Sequence, residues 1–195
     1  MDPILYLGVE GVLFRARVCR HPLAQRGNEM PCLNPLPLLG LISSLLETQR
    51  DLRVVLNSWW IVDYGFRRLV DSLPSSISQR TIGATIPGNR LHRKIAYQER
   101  VDLLRADVKK RQPVELTIVD ASRSAIPTEY LSRSVWVRSD NQTHINESAA
   151  ALLGFFKQTG PLYQDSIISI QEAERADCGS TESMGNRAEE LRRIA

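Results

Sequence analysis

Cysteine is scarce in this chain. Three residues, Cys19, Cys32 and Cys178, make an odd and scattered set in 195 positions. That pattern excludes a disulfide framework and fits a reducing, cytoplasmic compartment. Histidine is equally sparse, and Cys19, His21, Cys32 and His92 match no zinc spacing. No apolar run approaches the length of a membrane span, so no transmembrane helix is expected. The N-terminal apolar stretch lacks a basic leader and is cut by Glu10, which speaks against a signal peptide. Charge of one sign is not in large excess either: the net charge of +3 does not by itself point to nucleic acid. No internal repeat or low-complexity tract is visible. An apolar fraction of 43% and a charged fraction of 24% are those of an ordinary globular chain.

What is present is alternation. Short apolar runs are separated by longer amphipathic segments, the pattern of an α/β protein with a mostly parallel sheet. Residues 4–9 read as a buried strand, and 15–34 as a loop or flap above it. Asn34 offers an N-cap with Pro35 at the first helical position, predicting a helix over 35–49. Residues 53–57 read as a second strand, and Asp63 as the cap of a helix that runs to Leu73 and stops at Pro74. Strands follow at 80–84, 116–120 and 134–137. An amphipathic helix is predicted over 95–111, with Ile95, Val101, Leu104 and Val108 as its apolar positions. A last helix, capped by Asn146, carries Ala149, Leu152, Leu153 and Phe156. Beyond Gly160-Pro161 the composition turns polar.

In open α/β sheets ligands bind beyond the carboxyl ends of the strands. The candidates are therefore Gly8 and Glu10 after the first strand, Asn57, Ser58, Trp59 and Trp60 after the second, and Asp120, Ala121 and Ser122 after the fourth. At least one of the two tryptophans is expected in the core, while the other could stack on a ring. Lys94 or Arg100, near the start of the long helix, adds a basic group. Ser58, His92 and Asp120 contain the residue types of a hydrolytic triad, but nothing in their spacing supports one.

The segment Ile4-Leu5-Tyr6-Leu7-Gly8-Val9-Glu10-Gly11-Val12-Leu13 resembles the first motif of the haloacid dehalogenase (HAD) superfamily, four apolar residues followed by D-x-D-G-V-L. Leu56-Asn57-Ser58-Trp59-Trp60, Gly65-Phe66, Leu73-Pro74 and Arg80-Thr81-Ile82-Gly83-Ala84-Thr85 are similar to L-S-T-S-W, G-F, L-P and R-V-I-G-A-T of one HAD subgroup. That subgroup includes small standalone bacterial proteins and the HAD domains of multidomain RNA-repair polypeptides. The resemblance covers roughly 4–157. It implies a three-layer, HAD-like Rossmannoid domain over 1–160; the tail over 161–195 lies outside it and is expected from its polar composition to be mobile.

The resemblance also implies chemistry that these residues depart from. In the family the first Asp is a nucleophile that carries the phosphoryl group covalently; here that position is Gly8. The acidic pair that helps hold Mg²⁺ has become Asp120-Ala121, so Mg²⁺ binding is expected to be weak or lost. Glu10 stands where the general acid/base Asp would be, with a carboxylate about 1.5 Å further out. The expectation is a degenerate HAD-like protein, a pseudoenzyme that binds a phosphorylated ligand or a partner. Asn57, Ser58 and Lys94 or Arg100 would hold the phosphate. The alternative is a weak Mg²⁺-dependent phosphohydrolase using Glu10 and Asp120, with Asp120 as its metal ligand, acting on nucleic-acid ends. The basic stretch from Asn89 to Arg111 would suit an RNA end, although such an excess also suits a solvated helix face and aromatics are sparse nearby.

Overall fold

The computed structural model describes residues 2–15, 33–86, 99–139 and 141–156. Five strands form one sheet: β1 (Ile4–Leu7), β2 (Arg53–Leu56), β3 (Thr81–Ala84), β4 (Leu116–Asp120) and β5 (Ser134–Trp136). Their order is β3-β2-β1-β4-β5, and every pairing is parallel. Because β1 is central and the chain winds outward to either side of it, the strand order reverses between β1 and β4, the place where such sheets bind ligands.

Strand side chains alternate between two faces. Leu5, Leu7, Val54, Leu56, Val119 and Val135 join one core with α1 (Leu38–Thr48), α2 (Trp60–Tyr64), α3 (Phe66–Asp71), α4 (Ser75–Ser78) and α6 (Gln142–Phe155). Ile4, Tyr6, Val55, Leu116 and Ile118 join a second core with Leu104 and Val108 of α5 (Arg100–Arg111). The result is a helix–sheet–helix sandwich in which the apolar central strands β2, β1 and β4 are buried on both sides. Two short 3₁₀ turns, Arg123–Ala125 and Thr128–Arg133, link β4 to β5.

The helix α5 is tied to the sheet beyond its apolar contacts. The buried Tyr6 hydroxyl donates to Asp107 Oδ2 at 3.0 Å, and Arg111 Nε donates to the same oxygen at 2.7 Å. Burial and the neighbouring Asp107 carboxylate push the Tyr6 phenol well above its ordinary range. Arg111 then lies over Gly83 of β3, where a Cβ would meet its Nη2 at 2.7 Å.

Several boundaries differ from those read in the sequence. The helix expected over 35–49 begins at Leu38, with Pro37 as its cap, because Pro35 is taken up in a bridge with Phe14. The helix expected from Asp63 to Leu73 is two helices. Gly65, at φ 88°, breaks it, and Asp63 lies inside α2 rather than capping anything. The last helix is capped by Asn141, whose side chain accepts from the His144 amide at 2.9 Å, so Asn146 is an interior residue. The described part of the long basic helix starts at Arg100, with Leu103, Leu104 and Val108 buried and Val101 only partly so. Residues 16–32 of the loop or flap expected over 15–34, Ile95, and everything from residue 157 onward lie outside the described residues. No helix among the described residues is long and apolar enough to cross a membrane.

Candidate functional site

Parallel register carries one residue from each strand to the same level at the carboxyl edge of the sheet. Asn57 N–H donates to Leu7 O and Gly8 N–H to Val119 O, both at 2.8 Å. Thr85 N–H donates to Leu56 O at 3.0 Å, and Trp136 is the register partner of Asp120. Thr85, Asn57, Gly8, Asp120 and Trp136 thus form one row. By alternation all five belong to the face covered by α5. The row reads polar, polar, empty, acidic, aromatic.

The gap at Gly8 decides the geometry. Asn57 on β2 and Asp120 on β4 are separated by the whole of β1, yet Asn57 Nδ2 donates to Asp120 Oδ2 at 3.1 Å. They meet because nothing projects from position 8 between them. A Cβ there would stand 3.0 Å from Asp120 Oδ2 and 3.1 Å from its Cγ. The Asp120 carboxylate therefore fills space that a side chain on β1 would enter. Thr85 continues the chain, its hydroxyl donating to Asn57 Oδ1 at 2.8 Å.

Asp120 is 1% exposed and fully engaged. Its Oδ1 accepts from Ser122 N–H at 2.8 Å; its Oδ2 accepts from Asn57 and from Arg100 Nη2. Arg100 Nη2 also donates to the Asn57 carbonyl at 2.5 Å. Burial outweighs Arg100, and the Asp120 carboxyl is pushed up from its ordinary 3.8 to about 6, with Ser122 and Asn57 opposing the rise and Glu10 adding to it.

Glu10 and Ser58 meet at the first turn of α2. Trp60 N–H is shared between Glu10 Oε1 at 3.2 Å and Ser58 Oγ at 3.1 Å. Ser58 is fully buried. Among the described residues Glu10 Oε2 and Arg100 Nε are buried without a hydrogen-bond partner. Asp63 is raised by burial and then by the Glu10 carboxylate. Trp60 is core, stacked on Phe14 at 6.4 Å and edge-on to Tyr64 at 6.0 Å, while Trp59 is half-buried. The turn after β1 depends on Gly11, which has φ 76° and whose Cβ would stand 2.7 Å from that of Ala121.

The residues singled out from the sequence, Glu10, Asn57, Ser58, Arg100 and Asp120, are thus gathered at one end of the sheet. Arg100 supplies the cation at Asp120. Lys94, Cys19, His21, Cys32, His92 and Cys178 lie outside the described residues. Thr85 is not among the residues singled out from the sequence, although the rule that selects Asn57 and Asp120, a polar residue at the carboxyl end of a strand, also selects it.

An all-parallel sheet with this row at its reversal point defines a Rossmannoid α/β domain. The chain belongs to the HAD superfamily: the family described as the HAD domain in Swiss Army Knife RNA repair proteins matches residues 4–150. No curated protein and no solved structure matches it.

HAD domains generally use Mg²⁺. The residues present do not fit that ion, which needs several unencumbered oxygens in octahedral array. Gly8 and Ala121 carry no side-chain oxygen. Both Asp120 oxygens accept hydrogen bonds, and a guanidinium already sits against one of them. Among the described residues no three His, Cys, Asp or Glu side chains are grouped to hold a metal.

Proposed function

We propose that this HAD domain is a binding module that has lost phosphoaspartate chemistry and its dependence on Mg²⁺, and that it takes a phosphorylated group at the carboxyl edge of its sheet. The observation that carries this reading is the Asn57–Asp120 hydrogen bond across Gly8. A carboxylate nucleophile must be reachable and ionised. The carboxylate beside position 8 is 1% exposed, bonded on both oxygens and raised to about 6. Arg100, fixed at the start of α5, supplies positive charge without a metal, and its Nε remains to be matched.

An RNA end is the partner we favour. Along α5, Arg105 is paired with Glu129 and Asp102, and Arg111 with Asp107, so much of the basic charge is engaged internally. Lys109 and Lys110 are exposed, about 14 Å along the helix from Arg100 at 1.5 Å per residue. We assign the module to residues 1–160, with 161–195 as an appended polar segment in a cytoplasmic protein. Limited proteolysis reads this directly, as a stable fragment ending near residue 160.

A second reading rests on the unmatched Oε2 of Glu10, which could take a proton from water in a weak Mg²⁺-dependent phosphohydrolase using Glu10 and Asp120. Titration calorimetry with ribose 5-phosphate separates the two. Binding that persists in EDTA and is lost in Arg100→Ala supports the module. Mg²⁺-dependent hydrolysis of an aryl phosphate that disappears in Glu10→Gln overturns it in favour of the enzyme.

A further inference from the structure

The last member of the row has no part in the polar network. Trp136 is 46% exposed, although a tryptophan on a strand is normally a core residue. Its neighbours in sequence explain the orientation: Val135 and Val137 face the large core, so Trp136 must face the other side, at the edge of the sheet. It is not a loose side chain. The indole Nε1–H donates to the Ala121 carbonyl at 3.1 Å, which fixes the ring against the turn that follows Asp120. The Arg138 guanidinium lies 5.5 Å from the ring centroid, in cation–π range.

We propose that Trp136, with Arg138, is a stacking platform for the base of a nucleotide, so that the phosphorylated ligand of this site is a nucleotide. The identification of the ligand's phosphate end rests on the reading above; the platform rests on its own observations. The indole commits its one polar group to Ala121 and so presents ring surface rather than a hydrogen-bonding edge, as sequence-tolerant base stacking requires. Arg138 adds a cation whose plane can layer with both indole and base.

The placement fits the span of the ligand. Trp136 and Asp120 are register partners on adjacent strands, about 4.8 Å apart across the sheet. Arg100 approaches Asp120, so cation and aromatic ring flank the same residue. Phosphate and base in a nucleotide are separated by one sugar ring, and one strand spacing separates Trp136 from the residue that Arg100 contacts. Ser122 and Ser124, whose hydroxyls pair at 3.0 Å, lie on the intervening loop, where a ribose would pass.

The test is calorimetric titration of the full chain with AMP, ribose 5-phosphate and adenosine, using wild type, Trp136→Ala, Trp136→Phe and Arg100→Ala. AMP should bind at least about 5-fold, and up to about 100-fold, more tightly than ribose 5-phosphate, the range that stacking of one base supplies. Trp136→Ala should erase that advantage while leaving ribose 5-phosphate affinity unchanged. Trp136→Phe should keep most of it, and decides the matter if the alanine variant fails to fold. Arg100→Ala should weaken AMP and ribose 5-phosphate by the same factor. Equal wild-type affinities for AMP and ribose 5-phosphate overturn the platform, as does a Trp136 variant that weakens both alike. Adenosine binding that requires Trp136, without any binding of ribose 5-phosphate, keeps the platform and overturns the phosphate reading instead.

Discussion

Removing the Arg100 guanidinium should make this protein's stability depend more steeply on pH than the wild type's does. Asp120 titrates at about 6 in the folded chain against an ordinary 3.8. Its folded pKa is raised, so its contribution is fully present below about pH 4 and is lost as pH rises through 6. The whole change amounts to about 3 kcal/mol. Arg100 is the largest influence opposing that rise. In Arg100→Ala the buried carboxylate keeps only Asn57 and Ser122, and its pKa climbs further. Breaking a buried pair by deleting one partner costs about 3–5 kcal/mol when the survivor is charged. Near pH 5 Asp120 is mostly protonated in both proteins, and the variant loses only hydrogen bonds, about 1–2 kcal/mol. Urea denaturation at about pH 5 and about pH 8 should therefore give a deficit about 2 kcal/mol larger at the higher pH. Adding Asp120→Asn should shrink the deficit at high pH to its low-pH value. A deficit that is equal at both pH values, or indifferent to Asp120→Asn, would refute the assignment of Arg100 as counter-ion to an ionisable Asp120.

Other consequences can be measured on the same footing. Gly8→Ala, whose methyl would press on Asp120 at 3.0 Å, should destabilise by about 1–3 kcal/mol in urea. Gly8→Asp should be worse, since two carboxylates about 4 Å apart repel by about 4 kcal/mol at an intermediate dielectric. In the triple variant Gly8→Asp, Glu10→Asp, Ala121→Asp, Mg²⁺ should raise the melting temperature, and a folded triple variant blind to Mg²⁺ would contradict the alignment of these motifs. Asn141→Ala should cost about 1 kcal/mol through loss of the α6 cap. Asn146→Ala, inside the exposed face, should stay within about 0.5 kcal/mol. If RNA lies along α5, Lys109→Glu with Lys110→Glu should weaken a 5′-phosphorylated oligonucleotide at low salt. It should also flatten the salt dependence of binding by about one power of salt for each phosphate no longer neutralised; unchanged affinity and slope would remove RNA from this helix.

The sheet was legible because buried parallel strands are continuous apolar runs, and Gly8, Asn57 and Asp120 of the family motifs fall at their ends. The row at the carboxyl edge was half legible. That Asn57, Asp120 and a basic residue lie together at the carboxyl edge of the sheet follows from strand ends alone. That Asn57 and Asp120 bond across Gly8 does not, since it requires the register of three strands. The choice of Arg100 as the cation at Asp120 depends on where α5 starts, and a run of charged residues does not mark a first turn. The break at Gly65 was hidden because both flanking helices keep apolar residues at helical spacing. Asn146 looked like a cap because apolar spacing starts after it, but the first turn of α6 is polar and extends back to Asn141. The strand expected over 134–137 says nothing of which way Trp136 faces, and only the direction of its neighbours reveals the exposed ring.

The tie at the far end of α5 gives the site a preorganised charge. Asp107, gripped by Tyr6 and Arg111, fixes the helix to β1 and sets it over β3, so the helix acts as a strut with Arg100 at its other tip. A phosphorylated ligand of the kind we propose would meet a guanidinium already in position, and its binding would forfeit little entropy in ordering it. Disturbing the strut at Tyr6, about 10 Å from Arg100 by the helical rise between Asp107 and Arg100, should therefore register as slackened recognition as well as lost stability. On the proposed reading, recognition at the sheet edge would be in part a mechanical property of a bond that no ligand touches.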